Sequence, residues 1–220
     1  MKSEKILSMV LRSSVVIAAL LGFYFFRVAE PGVVVHDKEA LILQGLMQTI
    51  EYVHFAPKPV DDSFSKSVYK TYLERIDAQK RFLTQQDIDK IKQYEFKIDD
   101  QVNVRTFDFF NASLPLLEAG IKKSESFFNE IIDSPLNLNK GELLETDTEK
   151  RVFAKNDSEL KEQWQNIVQF EIISKWVQNI DDQKEKGNKD GNKSEDELKA
   201  EAIKDVKKRF NDWFGRLTKL

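Results

Sequence analysis

Apolar side chains recur along most of this chain at steps of three and four, the spacing that gathers them on one face of an α-helix. Leu43, Leu46, Met47 and Ile50 predict a first helix that ends near His54, ahead of the breakers Pro57 and Pro59. Asp61 and Asp62 stand where they would cap a second, whose stripe is Phe64, Val68, Tyr72 and Ile76. Thr84 caps a third, with Asp87 in a first turn whose dipole favours it and an inner face of Ile88, Ile91, Ile98 and Val102.

The longest stripe is Phe107, Phe110, Leu114, Leu117, Ile121, Phe128 and Ile131, broken only by Ser124. Pro115 lies inside it, so a kink is expected where the bond to the Asn111 carbonyl is lost. Periodicity disappears from Ser134 to Lys155, which predicts an irregular connection. Asn156 then caps a helix with Glu159 in a capping-box variant, and Leu160, Trp164, Val168, Ile172, Trp176 and Ile180 form its ridge. Asp181 to Lys193 is polar, holds Gly187 and Gly191, and is expected to be a mobile loop. Ser194 and Glu197 form a capping box for a last helix with the face Ile203, Val206, Phe210, Trp213 and Leu217. The chain stops at Leu220 with no glycine cap or polar tail, and so reads as cut off; an exposed apolar surface is expected on that helix.

The fold class that follows is all-α: an irregular bundle of about six helices over residues 38–220, preceded by an N-terminal segment of another kind. In residues 1–30, Lys2, Lys5 and Arg12 precede an uncharged apolar run from Ser13 to Phe26, closed by Arg27. A basic start followed by an apolar core is the pattern of a signal peptide. Fourteen residues cover about 21 Å, short of a hydrocarbon core of roughly 30 Å. Counted over 6–26 the segment is long enough to anchor, with Arg12 snorkelling towards the headgroups. The basic excess before the run directs the remainder outward, so an exported protein is expected, anchored or with its leader removed.

Composition narrows the chemistry. Sixteen Phe and three Trp supply a core, and scarce glycine (8) and proline (5) speak against a turn-rich β fold. Net charge is −3 with no basic stripe, so nucleic acid is not an expected partner. The absence of cysteine excludes disulfides, thiolate catalysis and cysteine metal sites.

The candidate chemistry is thin. His36 and His54 are the two histidines, and His54 lies in sequence near Asp61 and Asp62. One histidine with carboxylates is weak evidence for a metal or acid–base site, and a histidine closing a helix is the plainer reading. Ser63, Ser65 and Ser67 occupy a helix start, where serine caps. Asp99-Asp100 and Asp181-Asp182 read as solvated helix ends or loops, and Asn111-Ala-Ser and Asn156-Asp-Ser match the glycosylation triplet only by its short form. No nucleophile elbow and no phosphate-cradling glycine run is present. No catalytic residue, cofactor, metal or small-molecule ligand is expected.

Leu41 to Trp176 resembles the N-terminal region of tail-specific (C-terminal processing) serine proteases. The resemblance is carried by the run Val60 to Asp77 (VDDSFSKSVYKTYLERID) and by Arg81 to Ile88 (RFLTQQDI). His54-Phe55, Asp62 with Ser65, Tyr72-Leu73 with Asp77, and Phe82-Leu83 with Asp87-Ile88 fall where that family places such features. Phe153-Ala154-Lys155, Glu159-Leu160, Trp164 and the Arg209-Phe210 helix extend it. The resemblance implies a non-catalytic helical domain, since the PDZ domain and Ser–Lys dyad of the family map onto no residue here. It also implies protein partners: the protease core and, in some members, a helical-repeat lipoprotein adaptor. A free-standing, membrane-anchored helical adaptor is the rival reading. A self-contained hydrolase would need site chemistry that these residues do not supply.

Overall fold

The computed structural model describes residues 37–136, 138, 144–186 and 192–218. The signal or anchor segment 6–26 and His36 lie outside the described residues. The chain divides into two units, Met1–Pro57 and Lys58–Leu220. In the first, α1 spans Asp37–Val53, and the His54 N–H bonds the Ile50 carbonyl at 3.0 Å where the sequence predicts the helix end. Leu41, Leu46 and Ile50 are exposed on it.

The second unit is all-helical, as its periodicity dictates. It contains α2 (Asp62–Ile76), α3 (Gln85–Ile91), a 3-10 turn (Lys92–Tyr94), α4 (Ile98–Val104), α5 (Asp108–Ile132), α6 (Asp157–Lys186) and α7 (Glu195–Leu217). Among the described residues the only β pairing is an isolated parallel bridge, Thr84 to Ala154.

The caps form where expected. Asp61 accepts from the Ser63 and Phe64 N–H groups, Thr84 and Asp87 make a reciprocal capping box, and so do Ser194 and Glu197. The Asn156 oxygen accepts from Ser158 and Glu159, while Glu159 reaches back to the Lys155 N–H at 2.9 Å.

Three sequence expectations need correction. The third predicted helix is two helices separated by the 3-10 turn. Its second half starts afresh because Ser65 of α2 accepts the Asp99 N–H at 2.7 Å and donates to the Asp99 carboxylate at 2.5 Å, capping α4 from outside. The helix after Asn156 runs on to Lys186, six residues into the 181–193 stretch read as loop, with Asp181 paired to Lys184 one turn on. The last helix carries no exposed apolar strip: Val206, Phe210 and Phe214 are buried against α5 and α6, with Ile203, Trp213 and Leu217 packed around them.

Two apolar cores result. The larger joins α5, α6 and α7 around Phe128, Trp164, Val168, Ile172, Phe210 and Phe214. The smaller joins α2, α3, α4 and the start of α5 around Tyr69, Leu73, Leu83, Ile88, Ile91, Ile98 and Phe109. α5 serves both, and Leu117 packs against each. The turn from Asp77 to Leu83 does the same in miniature, for Phe82 enters the larger core and Leu83 the smaller.

That turn lies directly on α5. A Cβ on Gly120 would stand 2.5 Å from the Phe82 carbonyl oxygen and 3.0 Å from its carbon, both backbone atoms with no freedom to swing away. Gly120→Ala is therefore expected to cost about 1–3 kcal/mol by overpacking, despite alanine's better helix propensity. Gly215→Ala in α7 meets nothing within 4 Å and should be neutral or gain up to roughly 1 kcal/mol. Urea melts of the two variants separate close approach from propensity.

Candidate functional site

The polar focus of the second unit is the turn between α2 and α3. Asp77 ends α2 and is almost wholly buried, and its carboxylate accepts the N–H groups of Arg81 (2.8 Å), Phe82 (3.0 Å) and Leu83 (2.9 Å). Lys80 takes a left-handed conformation with φ 51°, which turns the chain tightly enough for one carboxylate to reach all three. Burial raises the Asp77 pKa, outweighing the three N–H groups and the Arg81 charge. The Arg81 carbonyl next door accepts from the Ser124 hydroxyl (2.8 Å) and the Trp164 indole N–H (2.9 Å), so turn, α5 and α6 meet on one oxygen. The break that Ser124 makes in the apolar stripe is this joint.

Two concavities flank the turn. One, about 840 Å³, has Tyr69, Leu73, Asp77 and Phe153 among its lining, with Lys66, Lys70 and Lys80 balanced by Glu74, Glu95 and Glu149. Burial first, then the charges of Glu95 and Asp89, push the Tyr69 pKa up to about 12, so its phenol stays protonated at neutral pH. The other, about 230 Å³, lies between Gln79-Lys80, the 144–152 link and α6, where Gln163, Asn166 and Ile167 line it. Arg151 spans its edge, donating from Nε to the Glu145 carbonyl (2.8 Å) and from Nη1 to the Gln79 carbonyl (3.3 Å).

The residues singled out in the sequence do not converge. His54 lies just past α1, where its Nδ1 accepts the Ala56 N–H at 3.2 Å, the role of a helix-closing residue. Asp61 is occupied as a cap, and Ser67 bonds the Ser63 carbonyl at 2.9 Å. Asp99 is half-buried and tied to Ser65 rather than simply solvated, whereas Asp181 and Asp182 are exposed. Asn111 lies within α5 and Asn156 caps α6. Among the described residues no three His, Asp or Glu side chains are grouped to hold a metal, and no helix is long and apolar enough to cross a membrane.

Exposed apolar side chains are found elsewhere. Phe110 and Leu114, one turn apart on α5, are 46% and 37% exposed, and Phe170 and Val177, two turns apart on α6, are 45% and 49% exposed. Sequence reading assigned Phe110 and Leu114 to the core stripe, because period alone does not say which edge of a stripe is covered.

Comparison with known proteins agrees with this architecture. Residues 46–217 match the family model described as "Tail specific protease N-terminal domain". The chain is also 24% identical over 125 residues to the tail-specific protease of Haemophilus influenzae; the match covers 55% of this chain and 18% of that protein.

Proposed function

Because the chain belongs to the family of tail-specific protease N-terminal domains, we propose that it is the non-catalytic helical part of such a serine protease and works by packing against the protease core. The family match across 46–217 carries this reading. The exposed pairs Phe110/Leu114 and Phe170/Val177 support it, since apolar rows left outside two filled cores are suited to a further protein surface. On this reading the domain acts in the periplasm, reaches it by the segment 6–26 as a signal or inner-membrane anchor, and has the PDZ and protease domains as its partners. A helical-repeat lipoprotein adaptor is a further partner of the same surfaces.

The test is made in a tail-specific protease that carries this domain. Phe110→Ser with Leu114→Ser is expected to slow cleavage of a tail-tagged substrate by more than a modest loss of domain stability explains, since the two side chains are 46% and 37% exposed and give up only part of their packing. Unchanged cleavage with both pairs replaced would end the docking role. The rival reading, a free-standing anchored adaptor, draws on the exposed Leu41, Leu46 and Ile50 of α1. It predicts that α1 variants, and not those on α5 and α6, abolish partner binding.

A further inference from the structure

The link before α6 carries an unused pair of backbone hydrogen-bonding groups. Its parallel bridge to Thr84 holds Ala154 extended, with the Ala154 carbonyl accepting the Gln85 N–H at 2.7 Å. In an extended chain, successive residues turn their N–H and C=O groups to opposite edges, so Phe153 presents its pair on the side away from Gln85. Arg151 and Lys155 share that edge, and their N–H groups are taken, by the Asp147 carbonyl at 3.1 Å and by the Glu159 carboxylate at 2.9 Å. Phe153 differs. Neither its N–H nor its C=O has a hydrogen-bond partner among the described residues.

Phe153 also lines the larger of the two concavities beside the turn, about 840 Å³, with Tyr69 and Leu73 as further apolar walls. Three lysines and three glutamates border that groove, so their formal charges cancel. Lys70 pairs with Glu74 at 3.8 Å, while Lys80 donates to the Thr148 carbonyl at 3.2 Å and stands over the Phe153 ring at 5.8 Å. A balanced border of this kind selects neither an anion nor a cation. What the groove leaves unmatched is one main-chain donor and one main-chain acceptor beside an apolar wall.

We infer that this groove binds an extended, uncharged segment of a polypeptide partner, added at the Phe153 edge. One residue of the partner exchanges two main-chain hydrogen bonds with Phe153, as in a hydrogen-bonded antiparallel pair. Residues directly opposite in such a pair carry their side chains on the same face. The partner's side chain therefore enters the groove beside Phe153, where Tyr69 and Leu73 favour an aliphatic group. The volume of about 840 Å³ falls within the roughly 300–1,000 Å³ of pockets that enclose a ligand of a few residues. The site makes no use of the exposed apolar pairs on α5 and α6. It stands or falls separately from the docking role proposed above.

The test uses the full chain in mild detergent, labelled with nitrogen-15 and followed by NMR. The probes are acetyl-Thr-Val-Leu-Val-Thr-amide and the same peptide methylated on the leucine nitrogen, which removes the donor facing the Phe153 carbonyl. Without peptide, the Phe153 N–H is expected to exchange freely with solvent. With peptide, its signal should move and its exchange should slow. The methylated peptide should bind about two- to tenfold more weakly, the scale of one net hydrogen bond. Ala78 is exposed on the groove lining, so Ala78→Trp should fill the mouth and abolish binding while the melting midpoint stays where it was. The comparison of the two peptides needs no variant of the protein, so it decides even where Ala78→Trp disturbs the turn. A Phe153 N–H already protected without peptide, no binding at millimolar peptide, or equal binding of the two peptides would each overturn the proposal.

Discussion

Trp164→Ala should cost about 3–5 kcal/mol of folding free energy, about a third or more of the total for a domain in the lower half of the usual range of about 5–15 kcal/mol. Trp164 is completely buried, at 0% exposure, and its ring lies 5.6 Å from Phe214, 5.9 Å from Phe210 in edge-on geometry and 6.4 Å from Trp213. Three helices lose their common filler at once, and the rigid aromatic walls collapse poorly into the space left behind. The indole N–H also disappears from the Arg81 carbonyl, which keeps only Ser124. Trp164→Phe isolates that second loss, since most of the volume survives, and about 1–2 kcal/mol is expected. Urea unfolding followed by far-UV circular dichroism measures both. A loss below about 1 kcal/mol for the alanine variant would mean that the three-helix core is not what holds the unit together.

Asp77→Ala should be of similar size for a different reason. Removing the carboxylate strands three buried N–H groups, each costing about 1–3 kcal/mol, and the turn that carries Phe82 and Leu83 loses its anchor. Asp77→Asn is not a mild replacement. One oxygen remains for one or two of the donors, while the amide nitrogen opposes the rest.

The pH dependence separates the charge from the hydrogen bonds. Burial raises the folded-state pKa of Asp77 above its ordinary value, so the folded state binds more protons than the unfolded from about pH 4 upward. Its contribution to stability therefore falls as pH rises through that window, and is level above the raised pKa. Asp87 behaves in the opposite sense. Burial alone would raise it, but Lys90 and the hydroxyl and N–H of Thr84 outweigh burial and hold it low. Its contribution is present above the ordinary carboxyl range and is lost as pH falls through its depressed pKa. The gap in stability between the wild type and Asp77→Asn should thus narrow from pH 4 towards neutrality. A gap that widens would show that the three N–H groups outweigh burial.

The long elements were legible because their information is local. α5, α6 and α7 each repeat an apolar residue every three or four positions, and Asp61, Thr84, Asn156 and Ser194 mark their starts by side-chain chemistry that acts within one turn. What escaped was tertiary. Gly120 gives no signal in a hydrophobic pattern, since its role is the absence of a side chain beneath Phe82. Ser65 caps a helix 34 residues away. Ser124 looks like a flaw in a stripe until the Arg81 carbonyl is opposite it. Thr84 and Ala154, 70 positions apart, are brought together by one bridge into a stretch with no periodicity. The family resemblance held: residues 46–217 match the model of that N-terminal domain.

Consecutive residues that point into separate interiors leave the domain without a seam. Phe82 and Leu83 act as a rivet driven through two plates, so neither interior can loosen while the other stays shut. Any attempt to divide this unit into smaller working modules, by design or by gene rearrangement, must avoid that pair.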